Sequence, residues 1–130
     1  MTSKILENIL DTKFENSCVI FLFAGLGIGK IYNELSGCTL QTHEFELLAK
    51  NNPNINFYGI SSQKTPSNNN IIYKTISQKQ CKNFKCIVKD NIIYLKRITY
   101  IIHNNKITTF ENKNSTSHIN YINNFLENQA

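Results

Sequence analysis

A cysteine at the junction between a predicted strand and a predicted helix is the residue best placed for chemistry. Cys38 follows a buried apolar run at residues 18–24 and a glycine-rich loop, and it lies at the start of the helix-forming segment SGCTLQTHEFELLAK. A thiol in the first turn of a helix is near unpaired backbone N–H groups and the positive end of the helix dipole, which both favour the thiolate. Because a thiolate is a nucleophile, this position predicts redox chemistry at Cys38.

Arg97 is the second candidate, because it is the one arginine among 14 basic residues. An ordinary cysteine is only about 3% ionised at pH 7, and a helix end stabilises the charge by roughly 0.5–1 kcal/mol. A guanidinium in a partly shielded site adds to this, and its planar fork binds two atoms at once, which a lysine does not. We therefore expect Arg97 to lie beside Cys38 and to stabilise its thiolate.

The elements that position these residues alternate between strands and helices. The predicted elements are a short N-terminal helix capped by Ser3, strands at 18–24 and 55–61, a helix from a Ser36 cap to residue 51, a helix at about 70–80, two short strands within 84–95, a hairpin of strands 97–103 and 106–111, and a last helix capped by Ser115. This order predicts an α/β fold with a central mixed sheet of about four to five strands flanked by helices, parallel at first and antiparallel at the end. That is the connectivity of a thioredoxin-like fold.

The chain is predicted to form one domain, residues 1–130. Its net charge is +5, but the lysines are scattered singly, so we expect no nucleic-acid partner. No window is long enough to cross a membrane, and the N-terminal segment carries acids without a secretory apolar core. We therefore expect no membrane partner and a cytoplasmic location, in which all four cysteines would be mostly reduced.

A phosphate-binding loop and a metal site are both disfavoured. The segment GLGIGKI (25–31) has Ala24 in place of the first glycine of such a loop and Ile31 in place of its magnesium-binding hydroxyl. We interpret it as a flexible loop above the sheet, and we predict no cofactor. The cysteines and histidines do not form clustered ligand pairs, so we predict no metal.

Three other cysteines need an interpretation. Cys81 and Cys86 are candidates to resolve a sulfenic acid formed on Cys38, or else they are incidental buried thiols. Cys81 is the better candidate because its neighbours, QKQCKN, predict an exposed position. Cys18 begins a buried strand and is predicted to belong to the core.

Several segments resemble the peroxiredoxin-like redoxins, the alkyl hydroperoxide reductase and thiol-specific antioxidant family of the thioredoxin-like superfamily. GCTLQTHEF (37–45) and NFYGISSQ (56–63) are similar to the family's active-site helix and second strand. RITYIIHNNKI (97–107) is similar to its later hairpin. The resemblance covers roughly residues 18–63 and 93–126, and the segment between them is divergent and shortened.

The resemblance implies roles for individual residues. Cys38 matches the peroxidatic cysteine, which attacks the O–O bond, and Arg97 matches the arginine that binds the peroxide. The family's motif is Pro-x-x-x-Thr-x-x-Cys, and the Thr position here holds Leu35. The hydroxyl that orients the peroxide would then come from Ser36 or Thr39, and backbone N–H groups at residues 37–39, Gly37 included, would stabilise the leaving oxygen.

The implied activity is that of a thiol-dependent peroxidase. A hydroperoxide would oxidise Cys38, a second thiol would form a disulfide with it, and a thioredoxin- or glutaredoxin-type reductant would restore the thiolate. A homodimer is a further expectation. Two alternatives stay open, namely a redoxin that exchanges disulfides without peroxidase activity and a catalytically impaired interaction protein. The absence of the motif threonine favours both alternatives, and the retention of Cys38 and Arg97 counts against the second.

Overall fold

A five-stranded mixed sheet with helices on both faces forms the centre of the protein. The computed structural model describes residues 2–32, 35–66 and 70–128. The helices are α1 (Thr2–Leu10), α2 (Cys38–Asn51), α3 (Gln78–Cys81) and α4 (Ser115–Glu127). The strands are β1 (Cys18–Phe23), β2 (Asn56–Ser61), β3 (Ile72–Thr75), β4 (Cys86–Lys89), β5 (Ile92–Leu95), β6 (Ile98–His103) and β7 (Lys106–Glu111). The order in the main sheet is β3-β2-β1-β6-β7, and β4 and β5 form a separate hairpin.

Strand β1 is central to the sheet, and all six of its residues are buried. A continuous apolar run of this kind predicts a strand covered on both faces, which the burial confirms. Cys18 pairs with Asn56 of β2 in parallel and with Ile102 of β6 in antiparallel orientation. Strands β2 and β3 are also parallel, whereas β6 and β7 are antiparallel. The predicted change from parallel to antiparallel pairing is therefore confirmed.

The sheet separates two hydrophobic clusters, because alternate side chains of β1 point to opposite faces. Ile20 belongs to a cluster that includes residues of α1 and Cys81 of α3. Phe21 belongs to the other cluster, which includes residues of α4 and Cys38 of α2. Cys38 and Cys81 therefore lie on opposite sides of the sheet.

The predicted helix at about 70–80 is wrong, since this segment forms strand β3 and then the single turn of α3. The isoleucine, tyrosine and threonine of β3 favour a strand, and Tyr73 pairs with Gly59 of β2. Ser77 begins α3 with a capping box, in which its Oγ accepts from Gln80 N at 3.1 Å and Gln80 Oε1 accepts from Ser77 N at 3.0 Å. The N-cap at Ser77 thus confines the helix to α3, at the end of the segment that was predicted to be helical.

Two predicted helix caps are also wrong. Ser3 lies within α1, because the helix has already begun at Thr2. Ser115 is the first residue of α4, and the cap is Asn114. The Oδ1 of Asn114 accepts from the backbone N–H groups of Thr116 at 2.8 Å and Ser117 at 3.3 Å. Asparagine is as effective a cap as serine, so the sequence NS permits either register.

Both predicted hairpin turns are confirmed. Asn104 and Asn105 join β6 to β7, and Asp90 and Asn91 join β4 to β5, all with positive φ between 49° and 66°. These residue types tolerate the left-handed conformation that a tight turn needs. The Tyr32 hydroxyl donates to Asp90, which attaches the β4–β5 hairpin to the loop that precedes α2.

Candidate active site

Cys38 is the first residue of α2, as the sequence predicted. The N-cap is Gly37 with φ +98°, so the prediction of Ser36 as the cap is wrong. Glycine adopts this left-handed conformation without steric cost. A Cβ at this position would also lie 2.9 Å from Ser115 Oγ and 3.4 Å from Arg97 Nη2. Both the backbone and the surrounding space therefore require glycine beside the cysteine.

The Arg97 guanidinium contacts the Cys38 sulfur, as predicted. Its Nη2 donates to Cys38 Sγ at 3.6 Å and to the Ser36 carbonyl at 2.6 Å. Its Nε donates to the Lys113 carbonyl at 3.3 Å, and its Nη1 donates to Gln41 Oε1. Arg97 is only 8% exposed, and among the described residues no carboxylate forms an ion pair with it. Apart from the sulfur, its hydrogen-bond acceptors among the described residues are neutral oxygens, so none of them offsets the positive charge beside the sulfur.

The Cys38 sulfur is enclosed, since the residue is only 4% exposed. In the described part of the chain, its hydrogen-bond partners are Arg97 and the carbonyl of Leu35, to which Sγ donates at 3.6 Å. Leu35 therefore offers the sulfur a backbone oxygen but no hydroxyl. Ser36 and Thr39 are exposed, and their predicted role in orienting a peroxide stays a prediction.

Gln41 is a buried neighbour of the site to which the sequence analysis assigned no role. It follows Cys38 by three residues, which places both side chains on one face of α2. Its Oε1 accepts from Arg97, and its Nε2 is buried without a hydrogen-bond partner among the described residues. The spacing of three along the helix was the signal that could have identified it.

His118 is a second residue that the sequence analysis missed. It is fully buried, its Nδ1 lies 2.7 Å from Thr99 Oγ1, and its Nε2 contacts the carbonyl of Asn112. Burial lowers its pKa to about 4, and the Arg97 charge acts in the same direction, although the bond to Asn112 opposes them. The neutral ring therefore donates from Nε2 and accepts at Nδ1. It anchors the backbone next to Lys113, whose carbonyl holds Arg97.

Two of the other cysteines, Cys18 and Cys81, lie on the opposite side of the sheet from this site. The predicted exposure of Cys81 is wrong, because the residue is fully buried and burial raises its pKa, with a smaller contribution from nearby Cys86. Cys86 is half-buried on β4. Cys18 is a core residue, as predicted, and burial followed by the charge of Glu7 raises its pKa to about 12. The structure brings Cys38 and Arg97 together and places Cys81 across the sheet.

A cavity of about 430 Å³ adjoins the site. Leu35 and Arg97, the two partners of the sulfur, form part of its wall. The remaining lining residues are Ala24, Lys85, Ile87, Leu95, Lys96, Ile98, Glu111, Asn112 and Lys113. Because alternate side chains of a strand point to opposite faces, Cys86 faces away from the cavity that Lys85 and Ile87 line. The cavity thus combines an apolar wall with several cationic side chains.

The remaining sequence motifs contribute no further site. Residues 25–31 contain one 3₁₀ turn, Ile28–Lys30, after Gly27 in the left-handed conformation. Within the described ranges, no three His, Cys, Asp or Glu side chains cluster as metal ligands would. The helices that the structure describes are all too short or too polar to cross a membrane.

The fold is thioredoxin-like. No protein-family profile and no curated protein matches the sequence. Among solved structures, the chain is similar to the bacterioferritin comigratory protein of Xanthomonas campestris, a peroxiredoxin whose alkyl peroxide reduction activity was studied in trapped intermediate and ligand complexes. The TM-score is 0.55 and the identity is 13%, over 88% of this chain and 77% of that one. The predicted redoxin resemblance is therefore confirmed at the level of the fold.

Proposed function

We propose that this protein is a thiol-dependent peroxidase that reduces hydroperoxides through Cys38. The observation that carries the proposal is the position of Arg97 Nη2, 3.6 Å from a sulfur that begins a helix. A cation and a helix N-terminus beside a cysteine are the surroundings in which reactive thiols occur. The structural similarity to an alkyl peroxide-reducing protein supports the same reaction class.

In the first step, the Cys38 thiolate attacks one oxygen of the hydroperoxide and breaks the O–O bond. The sulfur becomes a sulfenic acid, and the departing oxygen takes up a proton to form an alcohol or water. Arg97 and the backbone N–H groups of residues 37–39 stabilise the charge that develops on the leaving oxygen. Gly37 has no Cβ that would crowd Arg97 in this turn. Ser36 or Thr39 provides a hydroxyl that orients the peroxide.

In the second step, a thiol attacks the sulfenic acid, releases water and forms a disulfide. A further thiol, from a thioredoxin- or glutaredoxin-type donor, then restores Cys38. Cys81 and Cys86 stay candidates for an internal resolving thiol. We place the reaction in the cytoplasm, where reducing thiols are abundant. A homodimer stays a prediction.

A redoxin that exchanges disulfides without peroxidase activity is the second candidate. Leu35 favours it, because a leucine at this position offers no hydroxyl to orient a peroxide. A catalytically impaired interaction protein is the third candidate. The buried Arg97 guanidinium beside the thiol counts against this third candidate, because among the described residues no carboxylate pairs with it and its charge is left to act on the sulfur.

One experiment distinguishes the three candidates. The reduced protein is mixed with hydrogen peroxide or an alkyl hydroperoxide in the presence of a sulfenate-specific trap, and labelled peptides are identified by mass spectrometry. Rapid labelling at Cys38, absent in Cys38→Ser, supports the peroxidase. Slow labelling together with fast exchange against a model disulfide supports the second candidate. Inertness in both assays supports the interaction protein.

A further inference from the structure

The segment that joins β7 to α4 supplies one of the acceptors that hold Arg97. It consists of residues 112–114, which are exposed and form neither helix nor strand. The Lys113 carbonyl in this segment accepts from Arg97 Nε at 3.3 Å. The other two oxygen acceptors, on Ser36 and Gln41, belong to α2 and to the turn before it. Among the described residues, the Lys113 carbonyl is therefore the one acceptor of Arg97 that lies outside α2 and this turn.

The bond to the Lys113 carbonyl bears on the distance between the cation and the sulfur. A planar guanidinium that is bonded at all three nitrogens is held in a single orientation. Nε is the nitrogen nearest the aliphatic stem, and without its acceptor the side chain is free to turn about that stem. Nη2 would then no longer be held 3.6 Å from Cys38 Sγ. The place of an exposed carbonyl thus helps to set the geometry of a buried site.

His118 is the side chain that fixes this exposed segment from within the core. Its Nε2 donates to the carbonyl of Asn112, the residue before Lys113, and its Nδ1 accepts from Thr99 Oγ1 at 2.7 Å. Thr99 lies in β6, two residues after Arg97. The ring therefore joins the strand that follows Arg97 to the segment that holds its guanidinium. Burial lowers the pKa of His118 to about 4, so at pH 7 the ring is in the neutral form that makes this pair of bonds.

The bonds of His118 are the reason for an imidazole at this place. The residue is fully buried, and Phe110 packs edge-on against it with 4.8 Å between the ring centroids. An apolar side chain would suit these surroundings and would avoid the cost of burying two polar nitrogens. What an apolar side chain cannot do is hold the Asn112 carbonyl. Irregular surface segments are more mobile than the elements that they connect, so this hold restricts a segment that would otherwise move.

We infer that His118 is a positioning residue for the reaction at Cys38. By holding the Asn112 carbonyl it fixes the carbonyl of Lys113, which orients Arg97 against the sulfur. The inference rests on the proposed function and adds to it a residue that touches neither the sulfur nor the peroxide. No bond is made or broken at the ring, and it transfers no proton.

The first test compares the wild type with His118→Leu. Leucine fills a similar volume but donates no hydrogen bond to the Asn112 carbonyl. Stopped-flow trapping of the sulfenate at pH 7 with hydrogen peroxide gives the rate. We expect the variant to react about tenfold more slowly, because small displacements of a positioned group cost one to two orders of magnitude in rate. Circular dichroism at the same pH verifies that the variant is folded.

A double-mutant cycle with Arg97→Lys separates positioning from general damage to the fold. The lysine has no planar fork for the Lys113 carbonyl to orient. His118→Leu should therefore change the rate by less than about twofold in the Arg97→Lys background. Thr99→Val, which keeps the shape of the threonine without its hydroxyl, is the second variant for the same cycle. It should slow the wild type several-fold and leave Arg97→Lys unchanged, and it decides the question if His118→Leu does not fold.

His118→Gln is the conservative variant, because its amide donates to the Asn112 carbonyl and accepts from Thr99. Its rate should lie within about threefold of the wild type. His43→Gln is the matched control, since this histidine is exposed on α2. It should leave the rate unchanged.

Three results would overturn the inference. They are a wild-type rate in His118→Leu or, if that variant does not fold, in Thr99→Val; an equal loss in the wild-type and Arg97→Lys backgrounds; or a His118→Gln rate as low as that of His118→Leu. If the wild type forms no sulfenate, the proposed function fails, and the inference fails with it. Any of the three results in a protein that forms the sulfenate overturns the inference alone.

Discussion

Arg97 and Gln41 form a buried hydrogen bond, in which the guanidinium Nη1 donates to the amide Oε1 of a residue on the same helix face as Cys38. The amide orientation follows from this contact, because an NH₂ group facing the guanidinium would be repelled. A neutral acceptor positions the arginine and leaves its charge uncompensated. A glutamate in the same place would hold the arginine more tightly but would weaken its effect on the sulfur.

Replacement of Arg97 by lysine should slow sulfenate formation by about 100-fold or more. The lysine keeps the positive charge, but it cannot donate at once to Gln41, to two backbone carbonyls and to the sulfur. Stopped-flow trapping of the sulfenate provides the rate. Lys96→Met removes the adjacent charge and serves as the control, which should stay within about twofold of the wild type. A rate for Arg97→Lys close to wild type would contradict this role.

Replacement of Gly37 by alanine should destabilise the protein more than replacement of Gly27. Both glycines have positive φ, of 98° and 83°, so both substitutions carry a strain of roughly 1–2 kcal/mol. An added Cβ meets nothing within 4 Å at Gly27, but at Gly37 it approaches Ser115 and Arg97. Urea unfolding followed by circular dichroism measures the free energy of unfolding. Equal losses in the two variants would show that the contact is unimportant.

The native protein should protect Cys81 and Cys18 from alkylation at neutral pH. Both thiols are buried, and the raised pKa of each keeps it protonated and therefore unreactive. Cys86, which is half-buried, should react faster than either. Peptide mass spectrometry after timed iodoacetamide treatment gives the three rates. Rapid modification of Cys81, or a Cys38–Cys81 disulfide after peroxide treatment, would contradict the placement of these residues.

His118 should make the free energy of unfolding depend on pH between about 6.5 and 4. Its pKa is about 4 in the folded protein and 6.5 in an unfolded chain, so in this window the unfolded state binds a proton that the folded state does not. Stability is therefore fully present above pH 6.5 and falls as the pH is lowered, by roughly 3 kcal/mol in total. Urea unfolding of wild type and His118→Gln at several pH values isolates this dependence. If the free energy of unfolding depended on pH in the same way in both proteins, His118 would not be the group responsible.

The sequence was sufficient for four of the five strands of the main sheet and for the main pair of the site. The apolar run of β1, the paired turn residues and the helix faces are local patterns, and each specifies one element. Their order then restricts the topology, which brings Cys38 and Arg97 together although they are 59 residues apart. Arg97 could be recognised because the chain otherwise uses lysine.

The remaining features depend on contacts between distant segments. The polar neighbours of Cys81 predicted exposure, yet the single turn of α3 directs its side chain into the core. His118 is one polar residue on a helix, and only the folded chain places it against Thr99 and Asn112. Gly37 rather than Ser36 is the cap partly because Ser115 and Arg97 leave no space for a Cβ at residue 37. These two residues are distant in the sequence, so a local pattern could not predict this.

The sheet between Cys38 and Cys81 has a consequence for the proposed reaction when oxidant is in excess. The sheet separates a sulfenic acid on Cys38 from Cys81, so in the proposed reaction it persists until another thiol reaches it, and its lifetime varies inversely with the supply of that thiol. When that supply is exhausted, another equivalent of oxidant converts the sulfenic acid into sulfinic acid, which ordinary thiols do not reverse. If Cys38 reacts as proposed, the topology limits the oxidant dose that the protein tolerates before this cysteine is irreversibly oxidised.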